Sequence, residues 1–103
     1  MPDKIVVYWR DIPSQVIIKR GRNKGKWMLS ERFQEAIDSA AMKSGKAGTD
    51  DYVEEWRRVT TPIEASEDIQ AQAKAEADQF ETDFPDERLS VLVAAGGLNE
   101  ASS

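Results

Sequence analysis

The sequence predicts an α+β fold in which an N-terminal β-hairpin packs on three to four helices. Two short runs of β-branched and aromatic residues open the chain, and stretches with helical spacing of apolar residues follow after residue 29. The length of 103 residues suits one domain. We therefore expect a single α+β domain over residues 1–95 and a flexible C-terminal tail over residues 96–103.

The predicted hairpin consists of a strand over Ile5–Trp9, a turn around Pro13 and a second strand over Val16–Ile18. Alternation places Ile5, Val7 and Trp9 on one face and Val6 and Tyr8 on the other, so both faces are apolar. A lone hairpin is only marginally stable in water. Three completions remain open: a further strand or helices of this chain, a partner protein, or a second copy joined through the hairpin edge.

A basic segment follows the hairpin over residues 19–26 and contains two glycines and five basic side chains. Glycine permits positive φ and like charges repel, so we expect an exposed loop. Residues 1–28 carry seven basic and two acidic side chains, whereas residues 29–103 carry seven basic and seventeen acidic ones. The net charge of −5 therefore combines a basic N-terminal segment with an acidic remainder.

Four helices are predicted in the acidic remainder. The first is capped by Ser30 and stops at Gly45, and the second opens at Thr49 and continues through Trp56 to Val59. A third starts at Thr61-Pro62-Ile63-Glu64, read as a capping box with proline, and runs to about Thr82. Pro85 ends it, and a short fourth helix stops at Gly96-Gly97.

Composition excludes several classes of chemistry. Without histidine or cysteine the chain has no Ser-His-Asp or Cys-His system and no imidazole or thiolate metal site. We expect no enzyme activity, no cofactor and no metal. The acidic helices disfavour nucleic-acid binding because they would repel phosphates. No apolar run is long enough for a membrane span, so we expect no membrane contact and a cytoplasmic location.

Binding to a protein partner is the function that these features favour. The candidate contact residues share an aromatic or charged side chain and lie at the end of the first strand, in the turn that follows it, or in and next to the basic segment. They are Tyr8, Trp9, Arg10, Asp11, Arg20, Arg22, Lys24, Lys26 and Trp27. The alternative is a small enzyme, or a nucleotide- or anion-binding domain, that uses the Trp9-Arg10-Asp11 turn and the basic glycine loop. Gly21 and Gly25 do not fit the Walker spacing, which disfavours the nucleotide alternative.

Three stretches resemble the small bacterial proteins of the virulence factor family, which are similar to a segment of conserved virulence factor C. They are Tyr8-Trp9-Arg10-Asp11-Ile12-Pro13-Ser14-Gln15-Val16-Ile17, Leu29 to Asp38, and Glu87-Arg88-Leu89. The resemblance implies an accessory subunit of a folate-linked one-carbon system, with methylenetetrahydrofolate reductase or a corrinoid methyltransferase as the partner. It also implies Trp9, Arg10, Asp11 and the basic segment as the docking residues.

Overall fold

The computed structural model describes residues 2–45, 48, 50–64 and 67–97 and contains four strands and four helices within them. In chain order these are β1 (Asp3–Trp9), β2 (Ile12–Arg20), β3 (Asn23–Met28), α1 (Glu31–Lys43), α2 (Asp50–Glu54), β4 (Trp56–Pro62), α3 (Ile69–Asp83) and α4 (Asp86–Ala94). The predicted α+β class is confirmed.

The strands form one antiparallel sheet in the order β3-β2-β1-β4. The predicted hairpin is its centre: Ile5 pairs with Ile17, and Val6 with Val16, across β1 and β2. A bulge between Val7 and Tyr8 shifts the register before the tight turn at Arg10. The chain itself supplies a further strand on each side, so the hairpin is completed within one molecule.

The prediction of a loop over residues 19–26 is wrong. β2 continues to Arg20, a turn at Gly21 and Arg22 follows, and β3 begins at Asn23. Lys24 and Lys26 are exposed, while Gly25 between them is buried. The segment therefore has the alternation of a strand, with lysines toward solvent and glycine toward a helix.

The predicted second and third helices are also partly wrong. α2 ends at Glu54, and β4 occupies the following stretch to Pro62, where it pairs with β1. The β-branched residues Val59, Thr60 and Thr61 fit a strand, and pairing with a central strand outweighs their local helical spacing. α3 accordingly begins only at Ile69, and Asp68 caps it by accepting a hydrogen bond from the Ala71 N–H at 3.0 Å.

The first and last predicted helices are confirmed. α1 follows Ser30, and α4 follows the break at Pro85. Three parts of the sequence predictions lie outside the described residues: residues 46–47 between the first two predicted helices, Thr49 at the predicted start of the second helix, and residues 98–103 of the predicted tail. Gly96 and Gly97, the first residues of the predicted tail, are buried. Among the described helices, none is both long and apolar enough to cross a membrane.

α3 covers one face of the sheet, called here the helix-covered face. Lys4, Val6 and Tyr8 of β1 point to it, and the Lys4 ammonium lies 3.4 Å from a Glu76 carboxylate oxygen of α3. A Cβ built on Gly25 would lie 2.4 Å from the Ile69 carbonyl oxygen, so α3 approaches β3 as closely as a glycine permits. Ala73 and Ala77 are fully buried along this contact.

Candidate interaction surface

Trp9 lies in the hydrophobic core. Its side chain is 0% exposed, and its indole N–H donates a hydrogen bond to the Tyr52 carbonyl oxygen at 2.9 Å. A Cβ on Gly97, whose φ is +94°, would come within 2.8 Å of the Trp9 ring. The structure therefore places Trp9 where it supports the end of the sheet, and its ring offers no surface to a partner.

Arg10 and Asp11 form the turn between β1 and β2 and are engaged within the chain. Arg10 has a positive φ of 53°, and its guanidinium pairs with Glu55 at 3.1 Å and donates to the Gly96 carbonyl oxygen at 2.9 Å. Asp11 accepts from Arg57 at 3.1 Å, and its backbone N–H donates to the Gly97 carbonyl oxygen at 2.9 Å. These contacts fasten the C-terminal end of the described chain to the turn.

Tyr8 is partly buried on the helix-covered face. Its ring meets Phe80 edge-on at 6.4 Å between centroids, and the Arg57 guanidinium lies 4.8 Å above it. Burial raises the pKa of the Tyr8 phenol, against a smaller lowering by the positive charge of Arg57. Burial therefore favours the neutral form of the Tyr8 phenol.

The basic residues among the predicted contact residues lie along the hairpin that β2 and β3 form. Arg20 is partly buried and makes an interaction with another group, while Arg22 is exposed at the turn. Lys24 and Lys26 are exposed on β3. Trp27 is 37% exposed and lies under Lys74 of α3, with 5.6 Å between the ammonium and the ring centroid. Lys24 and Lys26 thus lie on one face, and Trp27 on the other.

The sheet face opposite α3, called here the open face, carries exposed and partly buried side chains. Its residues alternate with those of the helix-covered face along all four strands. Apart from Val7, which is buried, they include Asp3, Ile5, Gln15, Ile17, Lys19, Lys24, Lys26, Met28, Arg58 and Thr60. Ile5 and Ile17 form a partly exposed cross-strand pair at its centre. α3 packs on the other face and leaves this pair partly exposed.

A groove of about 610 Å³ crosses one end of the open face. Its lining residues are Val7, Ser14, Gln15, Met28, Gln34, Trp56, Arg57 and Arg58. The Gln15 side-chain oxygen in it is buried and accepts no hydrogen bond from the described chain. Arg58 has no ion-pair partner among the described residues. Among the described residues, the groove is thus lined by one acceptor without a donor, on Gln15, and by one cation without an ion-pair partner, Arg58.

Paired and unpaired cations divide between the two faces. Lys4 and Arg57 on the helix-covered face, and Lys74 of α3 itself, each pair with a carboxylate. Within the described chain the open-face cations have no such partner; they are Lys19, Lys24, Lys26 and Arg58. Among the described strand residues of the open face, Asp3, opposite Lys19, is the one carboxylate. The open face therefore carries a positive potential against an apolar centre.

None of the predicted contact residues lines the groove. Sequence reasoning missed Arg58 because it placed this residue at the end of a helix. The signal that could have found it is the run Val59-Thr60-Thr61, whose β-branched residues indicate a strand and so bring Arg58 beside Val7. The apolar alternation of β1 on both faces was the other available signal.

Within the described residues, no three acidic side chains converge on a point that could hold a metal ion. Carboxylates of α3 instead bind cations or backbone groups nearby: Glu81 pairs with Arg32 at 3.1 Å and accepts from the Ser30 N–H at 2.7 Å. These acids thus fasten α1 to α3.

Comparison with known proteins identifies a family for this chain. No curated protein and no solved structure matches the chain. A family model described as "Virulence factor" matches residues 7–93, from the end of β1 to the end of α4. This match spans the sheet, the groove and the helices described above, and it confirms the resemblance. The chain belongs to the virulence factor family.

Proposed function

We propose that this virulence-factor-family domain is a non-catalytic interaction module that binds an acidic segment of a partner protein on its open face. The observation that carries the proposal is the set of four cations without ion-pair partners on this face, all within the described chain. The pair Ile5 and Ile17 supplies apolar area between them.

The groove favours a peptide over a simple anion. Arg58 provides a cation for a carboxylate, and the unsatisfied oxygen of Gln15 provides an acceptor for an N–H group. A polypeptide segment supplies both groups, while Val7 and Met28 offer apolar contact to its side chains. Met28 is 54% exposed, so burying it adds apolar contact area on binding.

The alternative of an enzyme or nucleotide-binding domain has less support. It requires the Trp9-Arg10-Asp11 turn and the glycine segment to face a common ligand. Trp9 is buried, and Arg10 and Asp11 are engaged with the chain's own groups. Gly25 lies in a strand against α3, so the segment does not form a phosphate-binding loop before a helix.

The class of partner follows from the resemblance described above. It implies an accessory role beside a folate-linked one-carbon enzyme, and we propose such an enzyme as the protein that carries the acidic segment. The positive potential of the open face would speed the encounter and align the partner, and salt would weaken both effects.

Affinity purification of the tagged protein from its native host tests the proposal. The expected result is a stoichiometric protein partner whose binding weakens as salt is raised. Recovery of no such partner, or of a partner that is lost on nuclease treatment, would contradict the proposal.

A matched pair of charge reversals then locates the surface. Lys24→Glu on the open face should weaken the purified complex several-fold at low salt, because exposed charge pairs contribute roughly 0.2–1 kcal/mol each. Lys43→Glu, on the last turn of α1, makes the same change in net charge away from this face and should leave the affinity unchanged. Equal effects of the two variants would show that net charge alone, and not the open face, governs binding.

A further inference from the structure

The two edge strands of the sheet differ in whether other groups of the chain bond to their outward-facing backbone groups. β3 and β4 are the outer strands, and the outer backbone groups of an edge strand are free to pair with another strand. On β3, the side-chain amide of Gln70 bonds both outer groups of Lys26: its oxygen accepts from the N–H at 3.0 Å, and its nitrogen donates to the carbonyl oxygen at 2.7 Å. Gln70 therefore occupies the place of a neighbouring strand there.

On β4, the hydrogen-bond pattern determines which groups face outward. The backbone N–H of Ile63 donates to the carbonyl oxygen of Pro2 at 3.1 Å, and the backbone N–H of Arg10 donates to the carbonyl oxygen of Glu55 at 3.1 Å. The pairs Pro2–Ile63 and Arg10–Glu55 are therefore hydrogen-bonded pairs at the two ends of the ladder between β1 and β4. Bonded and outward-facing residues alternate along an antiparallel strand. The backbone groups of Arg57, Val59 and Thr61 therefore face β1, and those of Arg58 and Thr60 face outward.

No described segment pairs with this outer edge of β4. Arg57 through Pro62 are all exposed. Pro62 has no N–H and so ends the stretch that a further strand could join. The available edge is thus short and centred on two residues, Arg58 and Thr60.

We propose that an acidic, extended segment of the partner protein adds to β4 as a fifth strand, bonded to the outward N–H and C=O groups of Arg58 and Thr60. This inference rests on the proposed function and specifies how the partner binds. Strand addition supplies affinity through the backbone, and side chains of the added strand supply specificity. Those that lie on the open face would meet the guanidinium of Arg58, which has no ion-pair partner among the described residues, and the groove beside it.

The charge of β4 favours an acidic segment of a partner protein over a second copy of this chain as the added strand. β4 contains Arg57 and Arg58 and no acidic residue. Two β4 strands side by side would bring like charges together, which destabilises a pair of strands. An acidic segment instead places carboxylates beside Arg58, where the described chain provides none.

The probe for this inference is a labelled nonapeptide in which glutamate alternates with valine, so that its carboxylates share one face of a strand. Its affinity for the whole protein is measured by fluorescence anisotropy, with a lysine-valine peptide of the same length as the control. We expect the acidic peptide to bind at least about tenfold more tightly, because charge complementarity selects between partners of equal shape. Equal affinities, or no binding of the acidic peptide, would overturn the inference.

Amide hydrogen exchange of the wild-type protein distinguishes strand addition from contact with the open face alone. The peptide should slow exchange at Arg58 and Thr60 at least about tenfold and leave Val59, which already faces β1, unchanged. Thr60→Pro, which removes an outward N–H, should weaken peptide binding about tenfold, whereas Thr60→Ala should not. Binding without protection of Arg58 and Thr60 would overturn strand addition while the proposed function stands.

Two other results would also count against the inference. A dimer of the free protein with Arg58 and Thr60 already protected would assign the edge to a second copy. The partner complex tests the proposed function separately: if Lys24→Glu weakens that complex and Thr60→Pro does not, the partner binds the open face without joining β4.

Discussion

Replacing Gly25 with alanine tests how closely α3 packs on the sheet. The added Cβ would lie 2.4 Å from the Ile69 carbonyl oxygen and 2.7 Å from the Gln70 backbone nitrogen. A normal contact is about 3.5 Å, so the start of α3 must move by about 1 Å. Both groups belong to the backbone, and no side-chain rotation can relieve the clash.

The expected loss of stability combines two effects. Overpacking of this kind costs about 1–3 kcal/mol. Moving Ile69 also displaces Gln70, whose two hydrogen bonds to Lys26 contribute about 1 kcal/mol each. We therefore expect Gly25→Ala to lower the free energy of unfolding by roughly 3–5 kcal/mol, a large part of the stability of a domain of this size.

Urea unfolding followed by circular dichroism measures this loss, and Gly21→Ala is the matched control. A Cβ on Gly21 meets nothing within 4 Å, so that variant bears only the strain of its positive φ of 60°, about 1 kcal/mol. If Gly25→Ala is destabilised by no more than Gly21→Ala, α3 does not contact β3 as described.

Three further predictions concern the buried Tyr8, the turn at Arg10 and the edge of β3. Because burial raises the pKa of Tyr8 above its ordinary value of 10.0, the folded state holds the phenol proton more tightly, and the contribution of Tyr8 to stability should be constant below pH 10 and be lost as pH rises beyond it. Urea unfolding at several alkaline pH values should show a weaker fall in Tyr8→Phe, and identical pH profiles would refute the assignment. Arg10→Ala and Arg10→Gly both lose the contact with Glu55, but glycine relieves the positive φ, so the glycine variant should be more stable by about 1 kcal/mol in thermal unfolding; equal stabilities would count against strain at this turn. Gln70→Leu should speed amide exchange at Lys26 and promote self-association in sedimentation, because it exposes the edge of β3, and an unchanged exchange rate would contradict the capping role.

Local signals in the sequence correctly located the central hairpin and two of the helices. The run from Ile5 to Trp9 consists of β-branched and aromatic residues that point alternately to two faces of a strand. Such a run favours a strand over a helix or a loop. Ser30 and Pro85 mark helix starts through effects that act within one turn of chain. These elements need no knowledge of distant contacts, which is why the sequence was sufficient for them.

The region from Trp56 to Ile63 was misassigned because its structure depends on distant residues. Trp56 and Val59 share helical spacing with Tyr52, and Thr61-Pro62-Ile63-Glu64 has the composition of a helix start. Pairing of the segment with β1, about fifty residues earlier, overrides both signals. A single sequence without knowledge of the sheet gives no measure of that pairing energy.

The candidate site was predicted only in part for the same reason. Lys24 and Lys26 were identified from charge alone and do lie on the open face. Trp9, chosen as an aromatic contact residue, is buried by Tyr52 and Gly97, which come from distant parts of the chain. The groove draws residues from all four strands and from α1, so no local pattern describes it.

Lysine acetylation of the purified complex tests the central claim, that an acidic partner binds the open face, most directly. The account predicts that the partner lowers the acetylation rate of Lys19, Lys24 and Lys26 while Lys43 and Lys74, on α1 and α3, react as in the free protein. Protection of Lys43 and Lys74 with unchanged reactivity of Lys19, Lys24 and Lys26 would place the partner on the helices and contradict it.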